Sequence, residues 1–122
     1  MNLKDLTNIE ELDGALTESH KRPILLFKHS LTCPLSMRAL NELQSHLERA
    51  DSRISYKLIT VQTARAVSDA AASRLRLTHQ SPQAILVRNG SEVWSASHSD
   101  ITVSALDRAI CREIGSDKQS KD

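Results

Sequence analysis

The stretch Ile24-Leu25-Leu26-Phe27-Lys28-His29-Ser30-Leu31-Thr32-Cys33-Pro34-Leu35-Ser36 decides the fold of this chain. Its first part is a nearly unbroken apolar run, which is typical of a strand that is covered on both faces. Pro34 then marks the start of a helix, because a proline in the first turn gives up an N–H that would be unpaired there anyway. The sequence therefore predicts a strand from Pro23 to about His29 and a helix over 34–50, with Cys33 at their junction.

A thiol at this junction has the surroundings of a nucleophile. Unpaired amide N–H groups and the positive end of the helix dipole point at Cys33, and both favour the thiolate. The side chains of Thr32 and Ser36 can add hydrogen bonds to the sulfur. Ser36 stands where a second cysteine would make a dithiol, so the pattern predicts a one-thiol relay whose mixed disulfide a second thiol displaces. We assign Cys33, Pro34 and Ser36 as the catalytic set.

Composition and charge narrow the class of protein. The 122 residues predict one domain, and the net charge of +1 comes from mixed charges with no basic block. No apolar run of about 18 residues is present, and the N-terminus lacks the pattern of a signal peptide. Two cysteines do not make a secreted disulfide framework. We therefore expect a cytoplasmic protein without a nucleic-acid or membrane partner.

Hydrophobic periodicity predicts the element order α-β-α-β-α-β-β-α. The helices are expected over 8–19, 34–50, 64–76 and 102–115, and the strands over 23–29, 54–61, 84–87 and 92–96. A right-handed β-α-β unit followed by a hairpin gives an α/β fold, a four-stranded mixed sheet of order 2-1-3-4 with helices on both faces. The two alternating strands should form its edges. This is a thioredoxin-like domain over 1–115, followed by a tail over 116–122 that we expect to be disordered.

Turn and cap signals support these elements. Thr7-Asn8-Ile9-Glu10 predicts a capping box, and Thr63 and Thr102 are expected as helix caps. Asn89-Gly90 predicts a tight hairpin, because both of its positions need positive φ.

A second segment completes the predicted site. In this fold the loop that faces the active cysteine holds a cis proline, so we expect a cis Ser81-Pro82 bond whose backbone binds the incoming thiol. His79 would line the same pocket. Cys111, on the last helix, could resolve the mixed disulfide, but we expect it to be a half-buried structural residue. No metal site is expected, because the histidine and cysteine spacing matches no zinc pattern. His46 is expected on a solvated helix face.

These pieces together resemble the monothiol bacilliredoxins of the bacillithiol system, which belong to the thioredoxin-like superfamily. The matching segments are Phe27-Lys28-His29-Ser30, Thr32-Cys33-Pro34-Leu35-Ser36, Val61-Gln62, Arg65, His79-Gln80-Ser81-Pro82-Gln83, Val93-Trp94, Ser97-His98 and Ile101-Thr102. Leu31 and Leu35 depart from the family's pattern but leave the thiol intact, whereas Arg76 stands where a turn glycine is expected.

The resemblance implies thiol–disulfide exchange that removes bacillithiol, or a similar small thiol, from S-thiolated client proteins. Cys33 would carry the small thiol, and free bacillithiol or a companion redoxin would reset it. Ser30, Thr32, His79, Ser81 and Pro82 would bind the substrate. No bound cofactor is implied; the small thiol is a co-substrate.

Two alternatives stay open at this point. One is a thioredoxin-fold module that holds a partner through Cys33 or the Pro82 loop without turnover. The other is a monothiol glutaredoxin-like carrier of an iron–sulfur cluster, although such carriers usually show Cys-Gly-Phe-Ser where this chain has Cys33-Pro34-Leu35-Ser36.

Overall fold

A computed structural model describes the backbone of residues 3–121 and the side chains of residues 3–115. In this part of the chain a central sheet is packed between helices on both faces. The strands are β1 (Leu3–Asp5), β2 (Ile24–His29), β3 (Ser55–Thr60), β4 (Gln83–Arg88) and β5 (Ser91–Ser97). The helices are α1 (Ile9–Glu18), α2 (Pro34–Leu47), α3 (Arg65–Leu75) and α4 (Val103–Lys121), and a 3-10 turn (His98–Asp100) joins β5 to α4.

The sheet has the order β1-β3-β2-β4-β5, in which β1, β3 and β2 are parallel, β4 is antiparallel to β2, and β5 is antiparallel to β4. The order predicted for four strands is present in β3-β2-β4-β5. The prediction of four strands is wrong, because β1 pairs with β3 in the register Leu3 to Tyr56 and makes a fifth. Three residues are too short to show alternation, so the strand exists only through this long-range pairing. β3 is therefore internal and does not form the predicted edge.

Strand β2 holds the two apolar cores together. Leu25 and Phe27 face a core shared with α2 and α4, whereas Ile24 and Leu26 face a core shared with α1 and α3. All four side chains are almost fully buried, and burying each stabilises the fold by about 1.5–3 kcal/mol. Because β2 is packed on both faces, its carboxyl end is a rigid support for the loop that carries Cys33.

The first helix begins one residue later than the sequence predicts. Asn8 is its N-cap, and the Asn8 side chain accepts a 2.8 Å hydrogen bond from the N–H of Glu11. The Glu11 carboxylate reaches back to the N–H of Thr7 at 2.7 Å. This reciprocal pair is a capping box shifted by one position, because Asn8 is as good a cap as the hydroxyl of Thr7.

Of the two threonines predicted as helix caps, Thr102 caps its helix and Thr63 does not. The N-cap of α3 is Ala64, which makes no capping bond, so the prediction of Thr63 is wrong. The Thr63 hydroxyl turns back toward the carbonyl of Thr60 at 3.5 Å. Thr102 caps α4 as predicted, since its hydroxyl accepts a 3.1 Å hydrogen bond from the N–H of Ala105.

The ends of α2 and α4 also differ from the prediction. The second helix ends at Leu47 and not at Ala50. The last helix continues through Gly115 to Lys121, because glycine ends a helix only where the backbone turns left-handed. The side chains of 116–122 lie outside the described residues, so the expected disorder of this tail stays a prediction.

The predicted hairpin turn is confirmed. Asn89 and Gly90 have φ of 54° and 76°, the conformation that suits the twist of a two-residue hairpin. The turn is held against the end of α1, because Asn89 N–H donates to the Ser19 carbonyl at 2.8 Å and Gly90 N–H donates to the Ser19 hydroxyl at 2.9 Å.

Candidate active site

Cys33 is the N-cap residue of α2, in extended backbone conformation (φ −107°, ψ 116°). Its carbonyl accepts hydrogen bonds from the N–H groups of Ser36 and Met37, at 3.0 and 3.1 Å. Its side chain is half-buried and makes no capping hydrogen bond within the described part of the chain. The sulfur is therefore accessible at the positive end of a fourteen-residue helix.

Ser36 closes the loop that carries the thiol. Its side chain is completely buried, and its oxygen accepts a 2.9 Å hydrogen bond from the N–H of Ser30. The same oxygen lies 2.7 Å from Nδ1 of His29. The structure thus gives Ser36 a part in loop geometry that the sequence did not indicate. The expected bond from Ser36 to the sulfur stays a prediction.

Gln62 holds the same loop from the opposite side. Its side-chain oxygen accepts a 3.0 Å hydrogen bond from the N–H of Leu31. Its amide nitrogen donates to the Ser30 hydroxyl at 2.8 Å and lies 3.4 Å from the Thr32 hydroxyl. The sequence indicates Gln62 only through the family resemblance, because no local pattern shows that a residue after β3 reaches the loop before Cys33. Ser30 and Thr32, predicted to bind substrate, are therefore brought to the site by Gln62.

His29 is a buried imidazole beneath this loop. Its ring stacks near Phe27, with 6.3 Å between ring centroids. Burial lowers the pKa of His29, which favours the neutral ring. His29 therefore fixes Ser36 by hydrogen bonding without placing a permanent charge in the core.

The segment that contains Pro82 lies at the same end of the sheet as the loop that carries Cys33. The Ser81–Pro82 peptide bond is cis, as predicted. Strand β4 runs antiparallel to β2 with Gln83 opposite Lys28, so the residue before it lies beside the carboxyl end of β2. The Pro82 carbonyl accepts a 3.1 Å hydrogen bond from the N–H of His98, which ties the proline loop to the 3-10 turn. Cys33, Pro82 and the 3-10 turn thus share one end of the sheet.

His79 lies on the same loop, and its ring contacts side chains from β2 and α3. Nζ of Lys28 lies 3.2 Å from Nδ1 of His79, and the Ser68 hydroxyl lies 3.4 Å from the same nitrogen. Lys28 is fully buried, and burial lowers the pKa of its amine, an effect that the charge of Asp69 opposes. Burial, followed by the charge of Lys28, lowers the pKa of His79. Lys28 from β2 and Ser68 from α3 therefore hold the Nδ1 edge of the His79 ring.

Two exposed apolar side chains flank the thiol. Leu31 is 56% exposed and Met37 is 45% exposed, one before Cys33 and one in the first turn of α2. The surface around the thiol therefore has an apolar contribution from each of these two residues.

Cys111 differs from its expected burial. It is exposed on α4 rather than half-buried, and both cysteines are free thiols. Cys111 is eight residues beyond Val103, the first residue of α4, which places it about 12 Å along the helix axis. The structure therefore does not bring Cys111 together with the site residues.

His46 is buried, so the expectation of a solvated residue is wrong. Its Nε2 lies 2.8 Å from the Tyr56 hydroxyl and its Nδ1 lies 2.5 Å from the Asp107 carboxylate. Burial, followed by the charges of Asp51 and Asp107, raises the pKa of Tyr56. Asp107 also accepts a 2.9 Å hydrogen bond from Arg49. This network joins α2, α4 and β3 at the amino end of β3, away from Cys33.

The described residues contain neither a cluster of metal ligands nor a membrane-spanning helix. No group of three or more histidine, cysteine, aspartate or glutamate side chains there is arranged to hold a metal ion. No helix there has both the length and the apolar character needed to cross a bilayer.

A thioredoxin fold with an accessible thiol at the β2–α2 junction, and a cis proline at the same end of the sheet, defines the class of thioredoxin-like thiol–disulfide oxidoreductases. The chain belongs within that class to the bacilliredoxins, because the family model for monothiol bacilliredoxin BrxC matches residues 4–106. This confirms the resemblance on which the sequence analysis relied.

Solved structures have the same fold as this chain. A protein with a thioredoxin fold, provisionally assigned as an oxidoreductase, is 33% identical over 88% of this chain and 92% of its own, with a TM-score of 0.77. Thioredoxin of Fasciola hepatica is 16% identical over 90% of this chain and 98% of its own, with a TM-score of 0.71. Thioredoxin Mala s 13 of Malassezia sympodialis is 9% identical over 91% and 90%, with a TM-score of 0.73. The last two support the fold alone.

Proposed function

We propose that this protein removes a low-molecular-weight thiol, bacillithiol or a close analogue, from S-thiolated cytoplasmic proteins through a mixed disulfide on Cys33. The observation that carries this proposal is the environment of the fourth motif position. Ser36 is buried and bonded to Ser30 and His29, so the position that would hold a resolving thiol serves loop geometry. A lone accessible thiol suits a carrier of a small thiol.

The proposed reaction has two exchange steps. The Cys33 thiolate attacks the sulfur of the small thiol in a protein–S–S–R disulfide, forms Cys33–S–S–R and releases the protein thiolate. A second small thiolate, or a thiol of a companion redoxin, then attacks Cys33–S–S–R. It forms a new disulfide with R and returns Cys33 as thiolate. One disulfide breaks and one forms in each step, so neither step needs an outside oxidant.

The neighbouring residues have complementary parts in this proposal. The backbone beside Pro82 and Ser81 offers hydrogen bonds to the peptide-like part of the small thiol, and the imidazole ring of the exposed His79 offers another. Leu31 and Met37 provide apolar contact for the client protein. Thr32 can bond the sulfur. Gln62 and Ser36 hold the loop in position for the in-line attack that exchange requires.

Intact-mass analysis tests this proposal. A purified client protein carrying one bacillithiol adduct is mixed with the reduced wild type and with two variants, Cys33→Ser and Cys111→Ser. We expect the client to lose the adduct and the wild type to gain the mass of one small thiol. The Cys111→Ser variant should behave as the wild type, and the Cys33→Ser variant should leave the client unchanged. A wild type that oxidises to an internal Cys33–Cys111 disulfide would contradict the one-thiol mechanism.

A further inference from the structure

Lys28 is a completely buried lysine on β2, five positions before Cys33. Taking an amine out of water is costly unless an opposite charge or hydrogen bonds replace the water. Among the described residues no carboxylate forms an ion pair with Lys28, and Asp69 acts on it only as a more distant charge. The hydrogen bond of its amine goes to Nδ1 of His79, at 3.2 Å.

The neighbouring strand contains a buried lysine in a more usual environment. Lys57 on β3 is 9% exposed, and its Nζ lies 3.2 Å from a carboxylate oxygen of Glu18 at the end of α1. An ion pair of this kind offsets the loss of water around the amine. Lys28 has the imidazole of His79 where Lys57 has a carboxylate. The burial of Lys28 is therefore not explained by charge pairing within the core.

A second buried polar residue contacts the same loop, which spans residues 76–82 between α3 and β4. Gln83 lies directly opposite Lys28 in the antiparallel pair of β2 and β4, so both side chains leave the sheet on the same face. The Gln83 side-chain nitrogen donates to the Thr78 carbonyl at 3.3 Å, whereas its buried Oε1 has no partner among the described residues. Two adjacent polar residues of the sheet thus reach Thr78 and His79, which are successive residues of the loop.

Helix α3 adds a third attachment to the loop. The completely buried Ser68 has its hydroxyl 3.4 Å from Nδ1 of His79. The loop that ends in the cis Pro82 is therefore fastened to β2, β4 and α3. Disulfide exchange requires the attacking thiolate to lie in line with the disulfide, so a small displacement of a substrate-holding loop slows the attack.

We propose that Lys28 is a positioning residue for exchange at Cys33, because through Nδ1 of His79 it holds the loop of the cis proline against the sheet. This inference rests on the proposed function and adds a residue to it. Lys28 is buried beneath the loop and neither gives nor takes a proton or an electron pair in the reaction. The Cys33 thiolate attacks one sulfur of a disulfide R–S–S–R, forms Cys33–S–S–R and releases R–S⁻.

Rates of adduct formation test this role. The probe is N,N′-diacetylcystamine, an uncharged disulfide with an amide on each side, and quenched-flow mass spectrometry measures its adduct on Cys33. We expect the rate to fall about fivefold in Lys28→Met and about tenfold in His79→Ala. The double variant should be no slower than His79→Ala, since residues that act through one contact give non-additive losses. Lys57→Met is the matched control and should keep the wild-type rate, because Lys57 pairs with Glu18 and not with the loop.

Two further measurements distinguish positioning from support of the fold. The midpoint of urea unfolding should be unchanged or higher in Lys28→Met, because methionine fills the space without burying an amine. The pKa of His79, followed by NMR, should rise in Lys28→Met, because burial and then the charge of Lys28 hold it below its usual range. Arg65 and Asp69, the other charges that act on this ring, stay in place. Lys57→Met should leave the titration of His79 unchanged.

The outcomes separate this proposal from the proposed function. If the wild type forms no adduct on Cys33, the exchange activity fails and the role of Lys28 fails with it. If the wild type and Lys28→Met react equally fast, exchange stands and the positioning role is overturned. Additive losses in the double variant, together with a lower urea midpoint in Lys28→Met, would also overturn it. If Lys28→Met does not fold, the exposed His79→Ala decides, since a wild-type rate in that variant overturns the proposal and a tenfold loss supports it.

Discussion

The hydroxyl oxygen of Ser36 accepts a 2.9 Å hydrogen bond from the N–H of Ser30, and this bond joins the two ends of the loop that carries Cys33. The position that separates a monothiol from a dithiol protein thus has a structural task of its own. Ser36 therefore holds the loop that precedes the thiol, and Gln62 holds the same loop through its hydrogen bonds to Ser30 and Leu31.

Replacing Ser36 by alanine tests its bond to Ser30. The change leaves the buried N–H of Ser30 without its partner, which should lower the free energy of unfolding by about 1–3 kcal/mol. Urea denaturation measures this loss. Ser45→Ala is the control, since Ser45 is exposed on the same helix and its loss should cost less than about 0.5 kcal/mol. Equal stabilities of the two variants would show that the Ser30–Ser36 bond contributes nothing.

Gln62 should affect rate more than stability. Its side chain is exposed, but it fixes three successive residues before the thiol, so Gln62→Ala should slow formation of the Cys33 mixed disulfide about tenfold. Gln62→Glu keeps an acceptor for the N–H of Leu31 and loses the donor to Ser30, and should fall between alanine and wild type. The neighbouring exposed Thr63→Ala serves as the reference. A rate unchanged in both Gln62 variants would refute the positioning role.

Leu31 should distinguish protein from small-molecule substrates. Leu31→Ser removes apolar surface beside the thiol, so it should slow the removal of a small thiol from a client protein severalfold. It should leave reaction with a small disulfide unchanged. Val93→Ser is the matched control, because Val93 is 44% exposed on β5. If Leu31→Ser and Val93→Ser remove thiol from the client equally fast, the client does not dock on Leu31.

Stability should fall on acidification through His29. Burial lowers the pKa of His29 below its ordinary 6.5 in the folded state, so the unfolded chain takes up the proton first. The contribution of the neutral His29 ring to the free energy of unfolding is fully present above pH 6.5. It is lost as the pH falls from 6.5 through the pKa of the folded state. Between pH 7.5 and pH 5.5, the midpoint of urea unfolding should fall less in His29→Asn than in the wild type. His20→Asn, an exposed position, should keep the wild-type drop.

Replacing Arg76 by glycine should raise the free energy of unfolding. It ends α3 with φ of 56° and ψ of 42°, a left-handed conformation that costs a residue with a Cβ about 1–2 kcal/mol. Arg76→Gly relieves this cost but adds freedom to the unfolded chain, so we expect a net gain of about 0.5–1 kcal/mol. Arg76→Ala removes the same side chain, keeps the Cβ and should gain nothing. A thermal melt in which alanine stabilises as much as glycine would assign the effect to the arginine side chain.

Signals within a few residues predicted most of the scaffold. The apolar run of β2, the proline that opens α2 and the Asn89-Gly90 turn each have a local physical cause, and each stands as predicted. The turn after α3 also follows local rules, since Arg76 takes the conformation that a glycine would prefer there.

Errors arose where long-range pairing overrides local pattern. Strand β1 has three residues and depends on its hydrogen bonds to β3. His46 carries a polar helix pattern but is covered by Tyr56 and by Asp107 from α4. The spacing of residues along the chain does not reveal these contacts of His46, because Tyr56 and Asp107 are 10 and 61 residues away from it.

The sequence by itself determined that a single thiol begins a helix directly after a central strand, with serine in the fourth position, because helix and strand signals act over a few residues. Only the tertiary structure decided what surrounds that thiol. The bonds of Gln62 and Ser36 to the loop and the Lys28–His79 pair depend on side chains from separate elements meeting in space. Hydrogen bonds act only at about 3 Å, and packing of the whole sheet sets those distances.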